Sequence, residues 1–141
     1  MTPRQTQTAP DEFLEKELTG IIIGAFYETY NVLDFGFLES VYKSALACEL
    51  RDRGLHFRRE VPVLVYYKRN RVGWHRVDLL VEGKIVVELK ATILLAPTDR
   101  RQVINYLRGT KLDVGLLLHY GPEPEVHRLV SPRLYREHRS R

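Results

Sequence analysis

The sequence predicts a single α/β domain, a sandwich in which a mixed central β-sheet is flanked by helices. Three observations predict it. Apolar residues recur at helical spacing through the first fifty positions. Between Phe57 and Ala91 the pattern changes to β-branched and aromatic runs broken by tight turns. A further helical segment and then short apolar strands follow. The order is helix, helix, three or four strands, helix, strand, strand.

Residues Met1 to about Pro10 read as a flexible arm (1–10), followed by one domain (11–131) and a basic tail (132–141). From Asp11 to about Leu33, Leu14, Leu18, Ile21, Ile22, Ala25, Phe26, Thr29 and Leu33 share a helix face, and Asp11 and Glu12 suit the positive end of its dipole. Asn31 to Gly36 breaks that pattern. A second helix, Leu38 to Arg53, turns Leu38, Val41, Tyr42, Ala45, Leu46 and Leu50 inward, with Gly54 as its stop. Phe57 to Tyr67, Val72 to Val81 and Lys84 to Ala91 read as strands. The polar turn Lys68 to Arg71 joins the first two, and Glu82-Gly83 makes a tight hairpin between the last two. Pro97-Thr98 opens a third helix to Arg108, with Thr98 as N-cap and Gly109 as stop. Val114 to Tyr120 is a short apolar strand, GPEPE a turn, and Val126 to Val130 a final edge strand.

With 44% apolar and 28% charged residues the composition is that of a globular chain, not a disordered one. The net charge of +4 is compatible with a polyanionic partner without requiring one, and much of the excess falls in the last segment, where a solvated tail is the plain explanation. The single cysteine, Cys48, excludes an internal disulfide framework and fits a small core position. No apolar leader opens the sequence and no run is long enough to span a bilayer, so the expectation is a cytoplasmic protein with no membrane partner.

The chemistry concentrates in VDLLVEGKIVVELKA. In the strand from Lys84, Glu88 and Lys90 share a face with Val86, which by itself also fits an amphipathic strand with one solvated side. Asp78 is harder to explain in that way. It shares its face with Leu80, and an unpaired buried carboxylate is costly. If the hairpin at Glu82-Gly83 forms, Asp78, Glu88 and Lys90 converge on one side of the sheet. Two hard oxygen ligands there suit Mg²⁺ or Mn²⁺, which polarises a phosphodiester and acidifies a water. Lys90 would orient that water or stabilise the charge that builds on the phosphate. Glu39, near the start of the second helix, is a further acid for the metal shell; its alternative is an ion pair with Lys43 one turn on.

The string Gly36-Phe37-Leu38-Glu39-Ser40-Val41-Tyr42 resembles the signature of the bacterial GxxExxY proteins, within the PD-(D/E)xK nuclease-like superfamily. The resemblance continues in order through Arg76-Val77-Asp78, Val87-Glu88-Leu89-Lys90-Ala91, Gln102 to Leu107 and Gly115 to Leu118, and covers roughly Glu15 to Val130. It implies a restriction-endonuclease-like core with Asp78, Glu88, Lys90 and Glu39 as catalytic residues. Asp78, Glu88 and Glu39 would be its metal ligands, and Gln102 and Tyr106 would position substrate. Plain core packing is the alternative for Tyr106. Where the family pattern tends to carry a histidine before the glutamine, this chain has Asp99.

The expectation is therefore a Mg²⁺- or Mn²⁺-dependent nuclease acting on DNA or RNA, alone, as a homo-oligomer or in a larger complex. The alternative is a nuclease-fold module that binds nucleic acid or a protein without cleaving it. The five histidines lack zinc-site spacing, and no glycine-rich phosphate loop is present. Trp74 and the pair Tyr66-Tyr67 could stack on bases, although strand aromatics are more often core residues.

Overall fold

The computed structural model describes residues 15–139. The expected start of the first helix at Asp11, its Leu14 and the arm 1–10 lie outside the described residues. The elements are α1 (Lys16–Leu33), α2 (Glu39–Asp52), β1 (Phe57–Tyr67), β2 (Asn70–Val81), β3 (Ile85–Lys90), α3 (Pro97–Arg108), β4 (Val114–Tyr120), β5 (Pro124–Val130) and α4 (Pro132–Arg139). The strands form one sheet in the order β1-β2-β3-β4-β5. Only β3 and β4 pair in parallel, and α3 is the crossover that a parallel pair needs. The architecture is the mixed α/β sandwich.

Two apolar layers hold it together. On one face α1 and α2 bury Ile22, Ala25, Phe26, Tyr42, Leu46 and Leu50 against Leu79, Val81, Val87, Leu89, Leu116 and Tyr120. On the other, Val103, Tyr106 and Leu107 of α3 cover Val61, Val63, Val77, Val86 and Leu117. That packing is close: a Cβ on Gly115 of β4 would come within 2.7 Å of Val103 Cγ1. Strands β3 and β4 are covered on both sides, so β3 is buried along nearly its whole length and has no solvated face.

Several local expectations are corrected. Leu38 is the N-cap of α2 and 76% exposed, and Val41 is also exposed, because the apolar face of this helix is narrowed to Tyr42, Leu46, Ala47 and Leu50. Cys48 lies off that face and is exposed. Ala96, not Thr98, is the N-cap of α3; Pro97 takes the first helical position, and the Asp99 carboxylate accepts the Ala96 N–H at 2.8 Å. Residues 132–139, expected within a basic tail, form α4, where Arg133 pairs with Asp113 and donates to the carbonyls of Thr110 and Lys111. Trp74, Tyr66 and Tyr67 are exposed, because the outer half of the β1–β2 hairpin runs beyond β3, whose pairing with β2 is confined to Leu79–Val81. Lys68 and Arg69, both at positive φ, make its two-residue turn.

Candidate functional site

Glu39 is placed by the loop before it. Gly36 adopts φ +119, a conformation open to glycine, and lets the chain reverse into α2. Tyr42, one turn into α2, clamps that loop: its hydroxyl donates to the Asp34 carbonyl and accepts the Phe37 N–H at 3.2 Å. Its ring stacks on Tyr120 with centroids 4.1 Å apart. Glu39 is thereby fixed in the first turn of α2. One of its oxygens accepts the Ala91 N–H just beyond β3 at 3.3 Å, and the other lies 3.4 Å from Lys43 Nζ.

Asp78 and Glu88 meet where the β2–β3 ladder opens. The last paired residues are Leu79 and Val87. One step on, the carboxylates take over the backbone donors: Asp78 Oδ2 accepts the Leu89 N–H at 2.8 Å, and Glu88 Oε1 accepts the Asp78 N–H at 3.1 Å. Each acid is locked to the opposite strand. Both are nearly buried, at 7% and 6% exposure. Burial, and after it the Asp78 charge, push Glu88 up to about 8, with Lys90 opposing them.

Opposite Asp78 on β1 stands Glu60, with φ 53. The register passes from Arg59↔Leu79 to Val61↔Val77 and leaves Glu60 and Asp78 out. Across this break the strand faces exchange: Phe57 and Leu79 pack under α1 and α2, whereas Val61 and Val77 pack under α3. A left-handed residue inside a strand is the physical cause of such an exchange, and its cost is tolerated where the surroundings fix it.

Lys43, which the sequence presented only as an ion-pair partner of Glu39, is the centre of the arrangement. Its ammonium is 2.8 Å from Asp78 Oδ1, 3.4 Å from Glu39 Oε2 and 3.8 Å from Glu60 Oε1. Burial draws it toward neutrality, but the hydrogen bond to Asp78 and the charges of Asp78, Glu39 and Glu60 outweigh that, so its pKa stands above the ordinary lysine value. Glu60 and Lys43 could have been singled out only by knowing that β1 and α2 flank Asp78. Lys90 sits at the end of β3, 3.9 Å from Asp99 at the start of α3.

On the α3 side, Tyr106 is 5% exposed and its hydroxyl has no hydrogen-bond partner among the described residues. Burial, then Glu88 and Asp78, raise its pKa above the ordinary tyrosine value, so it remains a phenol. Its ring stacks on His75 with centroids 4.3 Å apart, and burial of that imidazole favours its neutral form. Gln102, one turn earlier on α3, is exposed.

The donor set is hard carboxylate oxygen, the chemistry that holds Mg²⁺ or Mn²⁺. A buried acid pair so close that one member is pushed to about 8 calls for positive charge. Asp78, Glu88 and Glu39 thus fit a divalent ion in kind. Among the described residues, though, no three His, Cys, Asp or Glu side chains already stand as a ligand group. Lys43 supplies counter-charge to Asp78, Glu39 and Glu60 in this structure, and a divalent ion held by Asp78, Glu88 and Glu39 would supply more.

The matching family model is that of the PD-(D/E)XK nuclease superfamily, over residues 16–129. No curated protein matches the chain. Among solved structures, the "Crystal structure of SSO0001" is similar over 87% of this chain, with a TM-score of 0.52 and 18% identity, a likeness of fold. The chain spans 65% of that protein's length. No helix among the described residues is long and apolar enough to cross a membrane.

Proposed function

The chain belongs to the PD-(D/E)XK nuclease superfamily and has a restriction-endonuclease-like fold, and from that premise we propose that it hydrolyses phosphodiester bonds of DNA or RNA with Mg²⁺ or Mn²⁺ as cofactor. The observation that carries this reading is the interlock of Asp78 and Glu88 at the opening of the β2–β3 ladder, facing the Lys43 ammonium. Asp78, Glu88 and Glu39 are the proposed metal ligands. A divalent ion bound there supplies Lewis acidity toward the phosphodiester and acidifies water near neutral pH.

The chain's own groups do the rest. Backbone N–H groups of Leu89, Asp78 and Ala91 hold the three carboxylates in fixed orientations, so little reorganisation is needed on binding. Lys90, at the end of β3 with Asp99 3.9 Å away, orients the attacking water or meets the charge that grows on the phosphate. The same pairing gives Asp99, the departure from the family's histidine, a positioning role toward Lys90. Tyr106 and Gln102 are proposed to position substrate, Tyr106 through its hydroxyl, which has no partner among the described residues. The proposed organisation is one catalytic domain over 11–131, placed in the cytoplasm, with self-assembly or a larger complex as further partners.

A second reading has its own observation in favour. Because Lys43 already offsets part of the charge of Asp78, Glu39 and Glu60, the cluster holds a cation without a metal, as a binding module would. Incubation of the protein with plasmid, single-stranded DNA and RNA in Mg²⁺ or Mn²⁺, beside Asp78→Ala and Lys90→Ala, separates the two. Cleavage by the wild type alone supports the nuclease. No cleavage, with no Asp78-dependent stabilisation by Mn²⁺, supports the module.

A further inference from the structure

We propose that the outer half of the β1–β2 hairpin is a platform for an unpaired nucleic-acid strand, with Trp74 stacking on a base and Arg71 and Arg76 holding the flanking phosphates. This deepens the nuclease reading above and rests on it for the identity of the polymer.

The charge is concentrated here. Between Phe57 and Arg76 the chain carries six Lys or Arg residues, Arg58, Arg59, Lys68, Arg69, Arg71 and Arg76, against the single acid Glu60. That is +5 in twenty residues, while the whole chain is +4, so everything outside the hairpin sums to −1. Antiparallel pairing gathers four of these cations, Lys68, Arg69, Arg71 and Arg76, onto one projecting arm, with Arg58 and Arg59 at its base opposite Leu80 and Leu79.

The same arm displays its aromatic residues. Pairing places Leu64 beside Trp74 and Pro62 beside Arg76 on one face. Trp74 is 54% exposed, and the Arg76 guanidinium lies 5.8 Å from its ring centroid. Pro62, Leu64, Arg71, Trp74 and Arg76 line a concavity of about 410 Å³ whose inner end is Glu60. Glu60 is also the residue whose carboxylate approaches Lys43 in the acidic cluster. Glu60 is thus shared by the concavity and the acidic cluster. From Trp74 to Asp78 is four residues of strand, about 13 Å at 3.3 Å per residue, or the length of roughly four stacked nucleotides.

A flat, half-exposed indole flanked by guanidinium groups is the arrangement on which unpaired bases stack without sequence preference. A duplex keeps its base faces occupied and offers only phosphates. A second copy of the chain is the competing occupant, but it would bring an equal +4 against this arm, and self-repulsion argues against it.

Trp74 is the sole tryptophan, so its fluorescence reports on this face alone. The test titrates the full chain, in EDTA to prevent cleavage, with oligo(dT), oligo(rU) and a duplex of equal length. Fluorescence quenching is read beside the anisotropy of end-labelled strands. The expected result is saturable quenching by the unpaired strands, weakening of about 5- to 100-fold on Trp74→Ala, and substantial rescue by Trp74→Phe. Arg71→Ala with Arg76→Ala should flatten the salt dependence by about two phosphates. Binding by anisotropy that leaves Trp74 unquenched and is indifferent to Trp74→Ala overturns the platform, as does equal preference for duplex. Quenching by protein concentration alone, with a dimer in sedimentation, assigns the face to a second copy and also overturns it. Cleavage in Mn²⁺ decides the nuclease reading separately: cleavage without quenching sinks only the platform, and quenching without cleavage sinks only the nuclease.

Discussion

Replacing Glu88 with glutamine should make the metal-free protein more stable at alkaline pH. Glu88 is 6% exposed, and burial together with the neighbouring Asp78 charge holds its carboxyl near 8, against an ordinary 4.5. A folded-state pKa above the unfolded one means that the native state binds the proton more tightly. The stability this contributes is present in full below pH 4.5 and is lost as the pH rises through 8. At about 1.4 kcal/mol per pH unit over that interval, the loss is on the order of 5 kcal/mol. Glutamine keeps the shape and a carbonyl oxygen to accept the Asp78 N–H, but never ionises. Urea denaturation in EDTA, repeated from pH 4 to 9, should give coincident stabilities at the acid end and a Glu88→Gln protein more stable by several kcal/mol at pH 8 and above. Titrating groups remote from Glu88 cancel in the comparison, and Asp78, whose own titration depends on the Glu88 charge, is counted with it. Parallel profiles, or a wild type more stable at pH 8, would refute the claim that Glu88 is a buried carboxyl held against its neighbour. Mn²⁺ at pH 8 should then stabilise the wild type and not the variant, which lacks the ligand charge.

Lys43→Met removes the counter-charge from a carboxylate whose side chain is 8% exposed. It should cost about 3 kcal/mol without metal and raise Mn²⁺ affinity in calorimetry, because Asp78 and Glu39 no longer have a competing cation; unchanged affinity would show that Lys43 does not compete for the site. Tyr106→Phe deletes a buried hydroxyl without a partner among the described residues, so urea denaturation should find it neutral or more stable by up to about 1 kcal/mol. A loss of cleavage at undiminished stability would assign that hydroxyl to the substrate. Gly115→Ala puts a methyl 2.7 Å from Val103 Cγ1 and 3.5 Å from Leu107 Cδ1, and overpacking should cost about 1–3 kcal/mol in thermal denaturation. An unaltered melting temperature would mean that α3 is free to move off the sheet.

The layers of the fold were legible because strand and helix periods in this chain are strong and glycines mark the ends of elements. Gly54 at φ 79 closes α2 and Gly83 at φ 64 turns the β2–β3 hairpin, each where the sequence placed a break. The misplaced residues share one physical reason, which is that burial depends on what covers a segment and not on its own pattern. Trp74, Tyr66 and Tyr67 look like core because their strand is apolar, but nothing in the local sequence reveals that β2 outruns β3. Cys48 and Leu38 look like core because the helix is amphipathic, but the sheet covers only part of its circumference. In the candidate site, Asp78, Glu88 and Glu39 could be named from sequence as acids in an unusual setting. Lys43 and Glu60 could not, since their membership is a matter of distance across elements far apart in the chain.

Glu60 links the two halves of the functional proposal. Its left-handed conformation is unfavourable for a residue with a Cβ, and it stands in the middle of an eleven-residue strand where regular geometry would have been cheaper. Two consequences follow from the exchange of faces it produces. Val61 and Val77 turn under α3, so Pro62, Leu64, Trp74 and Arg76, which alternate with them, turn to solvent as a continuous basic and aromatic face. Asp78, at the point of exchange, is left between the layers, where it reaches Lys43 on α2 while its charge is still felt by Tyr106 on α3. A regular strand would keep Val61 on the same side as Phe57 and deprive the arm of that arrangement. The strain at one residue therefore aligns the surface proposed to hold a strand with the carboxylates proposed to cut it, and a Glu60→Gly protein, relieved of the strain but stripped of the carboxylate, should retain the hairpin and its Trp74 response while Lys43 loses one of its three acidic neighbours.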